Sequence, residues 1–249
     1  MARIDGSLRV LRLLAGAAAI LSLSLAANGA VDPGVASAPR MDFVPPLPGT
    51  YRLQRIQAIA DAVLLDASGQ WRHLAAVTTG KVTLLTFFYT DCADPLGCPF
   101  AYGTLNGLRA RLLSQPQVRG AVRFVSVSLD PTHDTPAALT RYAGHLARDH
   151  RFEWRFLTAS SVPELLPVLE DFGQDVSVEV DARGRPTRAL HHMLKVFLVD
   201  RRGEVREIYS LAYLQPDVIV NDIRTLLLEQ RPGHGTHGDR IAISAHRSH

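Results

Sequence analysis

The chain has 249 residues, 47% of them apolar and 20% charged, so it can bury a full core, and its two cysteines could not supply a disulfide scaffold. Its formal charge is +3, of which the first thirty residues, with Arg3, Arg9 and Arg12 against Asp5, supply +2. The remainder is close to neutral, which argues against a nucleic-acid partner.

Residues 1–30 read as a targeting segment. A basic start leads into the apolar run Leu13 to Ala27, and small residues follow around Ala26 to Ala30, the pattern of a secretory signal peptide. The run is shorter than the roughly 20 residues a spanning helix needs, although an uncleaved anchor extending to Val31 is also compatible with it. In either case the rest of the chain faces an exported, oxidising compartment. Residues 31–50, with Pro45, Pro46 and Pro48, form a proline-rich linker, and the folded domain is expected over 51–230.

Within that domain, Ala62 to Leu65 and Gln70 to Leu74 flank the turn Asp66-Ala67-Ser68-Gly69 as a hairpin. Val82 to Tyr89 is an almost unbroken apolar run, the mark of a central strand covered on both faces. It enters a loop holding Cys92 and Cys98, after which Pro99 and the spacing of Leu105, Leu108 and Leu112 begin a helix. Val122 to Leu129 is a second apolar strand, and Thr135 or Asp134 caps the helix carrying Leu139, Tyr142 and Leu146. Phe152 to Leu157 is a further strand and Ser160 to Phe172 a helix capped by Ser160 or Ser161. Val176, Val178 and Val180 alternate with polar residues as in an edge strand, and Ala182 to Pro186 is a turn. Met193 to Val199 and Glu204 to Ser210 form a hairpin around Asp200 to Gly203, and Pro216 to Glu229 closes the domain as an amphipathic helix. The order predicts an α/β fold with a mixed, mostly parallel central sheet flanked by helices and an added hairpin. Residues 231–249, with His234, His237, His246 and His249 among glycines, read as a flexible tail.

Two thiols between a core strand and a helix N-terminus suit thiol-disulfide exchange, peroxide reduction through a sulfenic acid, or binding of a thiophilic metal; a structural disulfide is the plainer alternative. Five residues separate Cys92 from Cys98, so one helical turn does not bring the sulfurs together, and the loop must fold back at Pro95 and Gly97. His191 and His192 precede the Met193 to Val199 strand, where a loop entering that strand could carry an imidazole to the thiols. Two thiolates and one imidazole match the low coordination number of copper(I). Asp130, His133 and Asp134 are explained by turn and cap formation, whereas Asp91 and Asp94 beside the cysteines would raise thiolate pKa values and attract a cation or a basic partner.

Four stretches in this order resemble the Sco/SenC family of copper-delivery proteins: KVTLLTFFYTDC with Cys98-Pro99, FVSVSLDPTHDTPAAL, FLTASSVPELLPVLEDFG and HHMLKVFLVDRRGEV. The resemblance covers roughly Asp61 to Leu228. It implies a thioredoxin-like fold, copper held by Cys92, Cys98 and His192, and delivery to a respiratory oxidase subunit during cytochrome c oxidase assembly. It also implies a periplasmic location, with the N-terminal segment as the only link to the inner membrane. His191 stands where the family commonly has an acidic residue, and five residues replace the usual three between the cysteines. A redox role is the alternative, with Cys92 attacking and Cys98 resolving as a thiol-disulfide oxidoreductase served by a thiol reductant protein.

Overall fold

The structure is a computed structural model and describes residues 43–229. The expected targeting segment, most of the linker and the histidine tail lie outside them. Among the described residues no helix is long and apolar enough to cross a membrane.

Two strands anchor the core. β4 (Val82–Phe88) and β5 (Val122–Ser128) are buried at every position, as mostly apolar strands covered on both faces are, and their polar members Thr83, Thr86, Arg123, Ser126 and Ser128 are buried with them. They pair in parallel, with Val82 opposite Val122, and β6 (Trp154–Thr158) continues the parallel register from Phe124 opposite Trp154. Successive side chains of β4 serve opposite faces of the sheet. Phe87 meets Phe172 and Phe197 at centroid separations of 5.3 and 6.2 Å, whereas Phe88 meets Tyr142 at 4.9 Å and Phe156 at 6.0 Å. Burying each such ring stabilises the fold by about 1.5–3 kcal/mol before entropy is counted.

The parallel register stops at these three strands. β9 (Lys195–Val199) runs antiparallel to β4, β10 (Glu204–Ser210) antiparallel to β9, and β1 (Gln57–Ala58) antiparallel to β10. On the other side β2 (Val63–Asp66) joins β6, and β3 (Trp71–His73) joins β2, both antiparallel. The eight-stranded order is β1-β10-β9-β4-β5-β6-β2-β3. The sheet is therefore mixed, with parallel pairing confined to its middle. The Asp200–Gly203 turn forms as expected, with Gly203 at φ 83°, and its hairpin is part of this sheet.

Helices follow from local signals. α1 (Leu74–Thr78) is a short turn after β3, and α2 (Cys98–Leu113) starts with Pro99 in its first turn and buries Ala101, Leu105, Leu108 and Leu112 at helical spacing. α3 (Pro116–Arg119) precedes β5, and α4 (Pro136–Ala143) is capped by Thr135, whose hydroxyl accepts from the Ala138 N–H at 3.3 Å. α5 (Val162–Asp171) is capped by Ser161, and α6 (Pro216–Glu229) has the span its pattern predicted.

One stretch departs from expectation. Val176–Val180 (β7) is not an edge of the central sheet; it pairs with Pro186–His192 (β8) in a separate two-stranded ribbon. The turn between them is fixed by Asp181, whose carboxylate accepts the N–H groups of Arg183 and Arg185. β8 begins at a proline and carries no β-branched alternation, so its strand character comes from pairing with β7. His191 and His192 thus end a strand and do not lie in a loop. The ribbon is the addition to the fold.

Candidate metal centre

Thr90 leaves β4 at the end where β4, β5 and β6 finish, and the cysteine loop begins there. The Cys92 N–H donates to the Tyr89 carbonyl at 3.3 Å. The loop then folds over Asp94, whose side chain accepts the Leu96 N–H at 3.0 Å and whose carbonyl accepts the Gly97 N–H at 3.0 Å. A Cβ at Gly97 would lie 3.3 Å from an Asp94 oxygen, so the small residue lets the loop close tightly. Pro95 and Gly97 thus sit in the fold-back that five intervening residues demand.

This turn brings the two thiols near enough to influence each other's ionisation. The Cys98 thiol donates to the Cys92 sulfur and is the largest influence on it; partial burial opposes, while the N–H groups of Cys98 and Asp94 and the Tyr89 hydroxyl add donors. Together they pull the Cys92 pKa from the ordinary 9.0 down to about 6. Cys98 moves the opposite way, because it gives its proton to that hydrogen bond and is buried under the helix start. The expectation that Asp91 and Asp94 raise both thiol pKa values is not met at Cys92, where donors outweigh the carboxylates. Both sulfurs are free thiols.

His192 arrives from the ribbon. Its Nε2 lies 3.9 Å from Cys98 Sγ, and its ring stands edge-on to Tyr89 with centroids 5.9 Å apart. Donors about 2.3 and 2.0 Å from a shared ion, at trigonal directions, would be about 3.7 Å apart, so this sulfur-nitrogen separation suits one metal ion. Burial lowers the His192 pKa, favouring the neutral, ligating imidazole. Among the described residues no three His, Cys, Asp or Glu side chains are grouped closely enough to hold a metal ion.

His191, one residue earlier, points away from this pair; its Nε2 is 4.0 Å from Glu179 and it is exposed. Cys92 and His192 line an open cleft of about 1020 Å³ together with Asp94, Leu96, Glu179 and Met193, whereas Cys98, 3% exposed and 3.9 Å from His192, is buried and does not line it.

Three supporting residues escaped sequence reasoning. Tyr89, 4% exposed, accepts the Leu190 N–H at 3.3 Å and so ties the cysteine loop to β8. A hydroxyl-bearing aromatic closing a core strand was the available signal, since a buried tyrosine needs a polar partner. Gln174 donates to the Met193 carbonyl at 3.1 Å and steadies the chain just after His192. Asp134, 1% exposed, receives the Thr90 N–H, the Thr90 hydroxyl and the Ser128 hydroxyl. Thr135 alone caps α4, so Asp134 is a buried brace under the cysteine loop and not a cap. Asp130 does what its turn position suggested, accepting from the His133 ring at 2.7 Å.

A SCO1 protein homolog of Bacillus subtilis (strain 168) is 27% identical over 149 residues, 59% of this chain and 71% of that protein. The structure of Arabidopsis thaliana ScoI with copper bound aligns at a TM-score of 0.58 and 18% identity, covering 69% of this chain and 99% of that one. BsSco, a member of the Sco family of cytochrome c oxidase assembly proteins in which a disulfide switch was identified, aligns at 0.55 and 22% identity over 71% and 98% of the two chains. These likenesses bear out the thioredoxin-like α/β fold. The SCO1/SenC family model matches residues 55–228, most of the described domain, and the chain belongs to that family.

Proposed function

We propose that this chain is an exported copper metallochaperone that takes copper(I) as cargo on the Cys92 and Cys98 sulfurs with His192 as third ligand. It would release the ion by ligand exchange to a copper site of a respiratory oxidase subunit during cytochrome c oxidase assembly. The observation that carries this is the 3.9 Å approach of Cys98 Sγ to His192 Nε2, with His192 and the low-pKa Cys92 lining a cleft open to a partner. Soft sulfur and neutral imidazole favour copper(I) over hard cations. Each donor has a part. Cys92, with its pKa lowered to about 6, offers a thiolate near neutral pH, Cys98 would give up its proton on binding, and His192 would close the set from a separate ribbon. Residues 1–30 would direct export, 31–50 tether the domain and 51–230 form it, with 231–249 following it.

Anaerobic titration of the reduced protein with copper(I) against a competing chelator tests this. One tight equivalent, lost in Cys92→Ala and kept after deletion of residues 231–249, is the expected result; binding that survives Cys92→Ala would remove the proposal.

The asymmetry of the thiols supports a second reading as a thiol-disulfide oxidoreductase. The Cys92 thiolate would attack a client disulfide, breaking its S–S bond and releasing one client thiolate. Cys98, after losing its proton, would then attack Cys92 in the mixed disulfide, releasing the second client thiol and leaving a Cys92–Cys98 disulfide. Two electrons pass to the client, and a thiol reductant protein restores the dithiol. His192→Ala separates the readings, because it should weaken copper binding and leave disulfide reduction intact.

A further inference from the structure

The described residues contain equal numbers of basic and acidic side chains, but the two clefts at the ends of the parallel strands differ in the charges that line them. Asp91, Asp94 and Glu179 rim the thiol cleft at the C-terminal end of the parallel strands. At the opposite end, where β4, β5 and β6 begin, a second cleft of about 460 Å³ is lined by Lys81, Arg119, Arg151 and Arg155. Two further guanidinium groups, Arg109 and Arg123, are buried against it, 7% and 5% exposed.

Only two carboxylates answer these six cations. Asp149 is shared by Arg109 and by Arg151 at 2.9 Å. Glu153 is shared by Lys81 at 2.9 Å, Arg155 at 2.6 Å and Arg123 at 3.7 Å. Arg119 is exposed and has no ion pair among the described residues. An excess of four positive charges is left. The crowding is felt: Arg151 helps lower the Arg109 pKa and Arg155 that of Arg123, in each case after burial. The Gly80 N–H donates to the Arg201 carbonyl at 2.8 Å, so the exposed Arg201 and Arg202 of the β9–β10 turn extend the same end.

We infer that this end of the domain docks on the phosphate headgroups of an anionic phospholipid surface, holding the thiol cleft outward at the far end of the strands. The cations are spread over the start of β4, α3, the segment before β6 and the β9–β10 turn, without converging on one point. That layout fits a field of phosphates better than a single small anion, and exposed arginines have spare N–H donors in the fork geometry phosphate accepts. At the thiol end Asp91 is paired with Arg188 at 3.4 Å, and the remaining Asp94 and Glu179 add an orienting repulsion, so the domain would sit with one polarity on the surface. The proposal is independent of the copper reading: it uses none of the cleft's thiols or His192.

The test is a lipid titration of the full chain with phosphatidylcholine vesicles and with phosphatidylcholine vesicles containing about a third phosphatidylglycerol. Two charge-reversed forms accompany it, Arg119→Glu with Arg151→Glu, and Arg119→Glu with Arg201→Glu and Arg202→Glu. The second changes only exposed arginines without ion pairs, so it keeps the test alive if the first fails to fold, and one-to-one copper binding or native circular dichroism checks its fold. The N-terminal arginines are the same in every form, so the difference between forms isolates the basic end. Stronger partition to the anionic vesicles, reduced about tenfold or more by charge reversal and weakened by salt, is expected. Equal partition of wild type and variants overturns the proposal. So does saturable binding of inorganic phosphate or polyglutamate without a preference for anionic vesicles, which would make the cleft a site for a small or peptide anion.

Discussion

Asp134 holds Thr90 with both carboxylate oxygens, one on the Thr90 N–H at 3.0 Å and one on its hydroxyl at 2.5 Å. The same Oδ2 accepts the Ser128 hydroxyl at 2.6 Å, so one buried side chain binds the ends of β4 and β5 together two residues before Cys92. Replacing it with asparagine substitutes an NH₂ for an acceptor facing these donors. Asp134→Asn should cost about 2–3 kcal/mol of stability by chemical denaturation. The Cys92 pKa should also move back toward that of a free thiol as the loop loosens. An unchanged Cys92 titration in a destabilised variant would show that Asp134 braces the core without shaping the site.

Thiol reactivity follows from the same loop. In the reduced, metal-free protein, alkylation of Cys92 by iodoacetamide should rise through a midpoint near pH 6, while Cys98 stays protected in that range. Tyr89→Phe removes one donor to the thiolate and should shift the midpoint upward. The sign for stability is fixed too. A folded pKa below the ordinary 9.0 means that the Cys92 contribution is fully present above pH 9 and is lost as pH falls toward 6. Raised Cys98 works against it above the ordinary thiol pKa. A Cys92→Ser variant should therefore lose part of the rise in stability between pH 6 and 9.

The parts of the fold governed by periodicity and capping could be read directly. β4, β5, α6 and the Thr135 cap are local in origin, since each is specified by residues within one or two turns or strands of itself. The site residues Cys92, Cys98 and His192 were found through their chemistry and family resemblance. What stayed hidden depends on distant pairing. The Asp134–Thr90 contact spans 44 positions, and β8 is a strand only because β7 lies beside it. Composition also conceals a local excess of cations such as that around Glu153 and Asp149, because a neutral total is the same however the charges are placed.

The segment before β1 is secured by Asp222 of α6, which accepts the Tyr51 hydroxyl at 2.5 Å and the buried Tyr209 hydroxyl at 2.6 Å. Burial raises the Asp222 pKa, with both phenols opposing. A raised folded pKa places its favourable contribution below the ordinary 3.8, and stability falls as pH rises through the folded value. Asp222→Ala should cost about 2–3 kcal/mol, since it strands a buried phenol. Asp222→Asn should cost less, because a phenol can also accept, and should remove this pH dependence. Equal losses in the two variants, measured by urea unfolding at several pH values, would count against the phenol pairing.

The register of the β7–β8 ribbon decides which histidine reaches the thiols. Val176 pairs with His192 and Ser177 with His191, and adjacent strand residues face opposite ways, so only one imidazole can lie 3.9 Å from Cys98. His191→Ala should leave copper(I) affinity within about threefold of wild type, whereas His192→Ala should lower it about tenfold or more, the scale of one lost ligand or its support. Moving the ribbon by one residue would exchange the two. A deletion of Ala189 is such a change, and in that background His191 and His192 keep their order but swap faces relative to the strand before them. Chelator competition on the four proteins would then show whether the ribbon register or the proximity of His192 to β9 places the ligand. If His191→Ala proved the damaging substitution in the wild-type background, the assignment of His192 would be lost and the pairing of β7 with β8 would have to shift in the copper-bound protein.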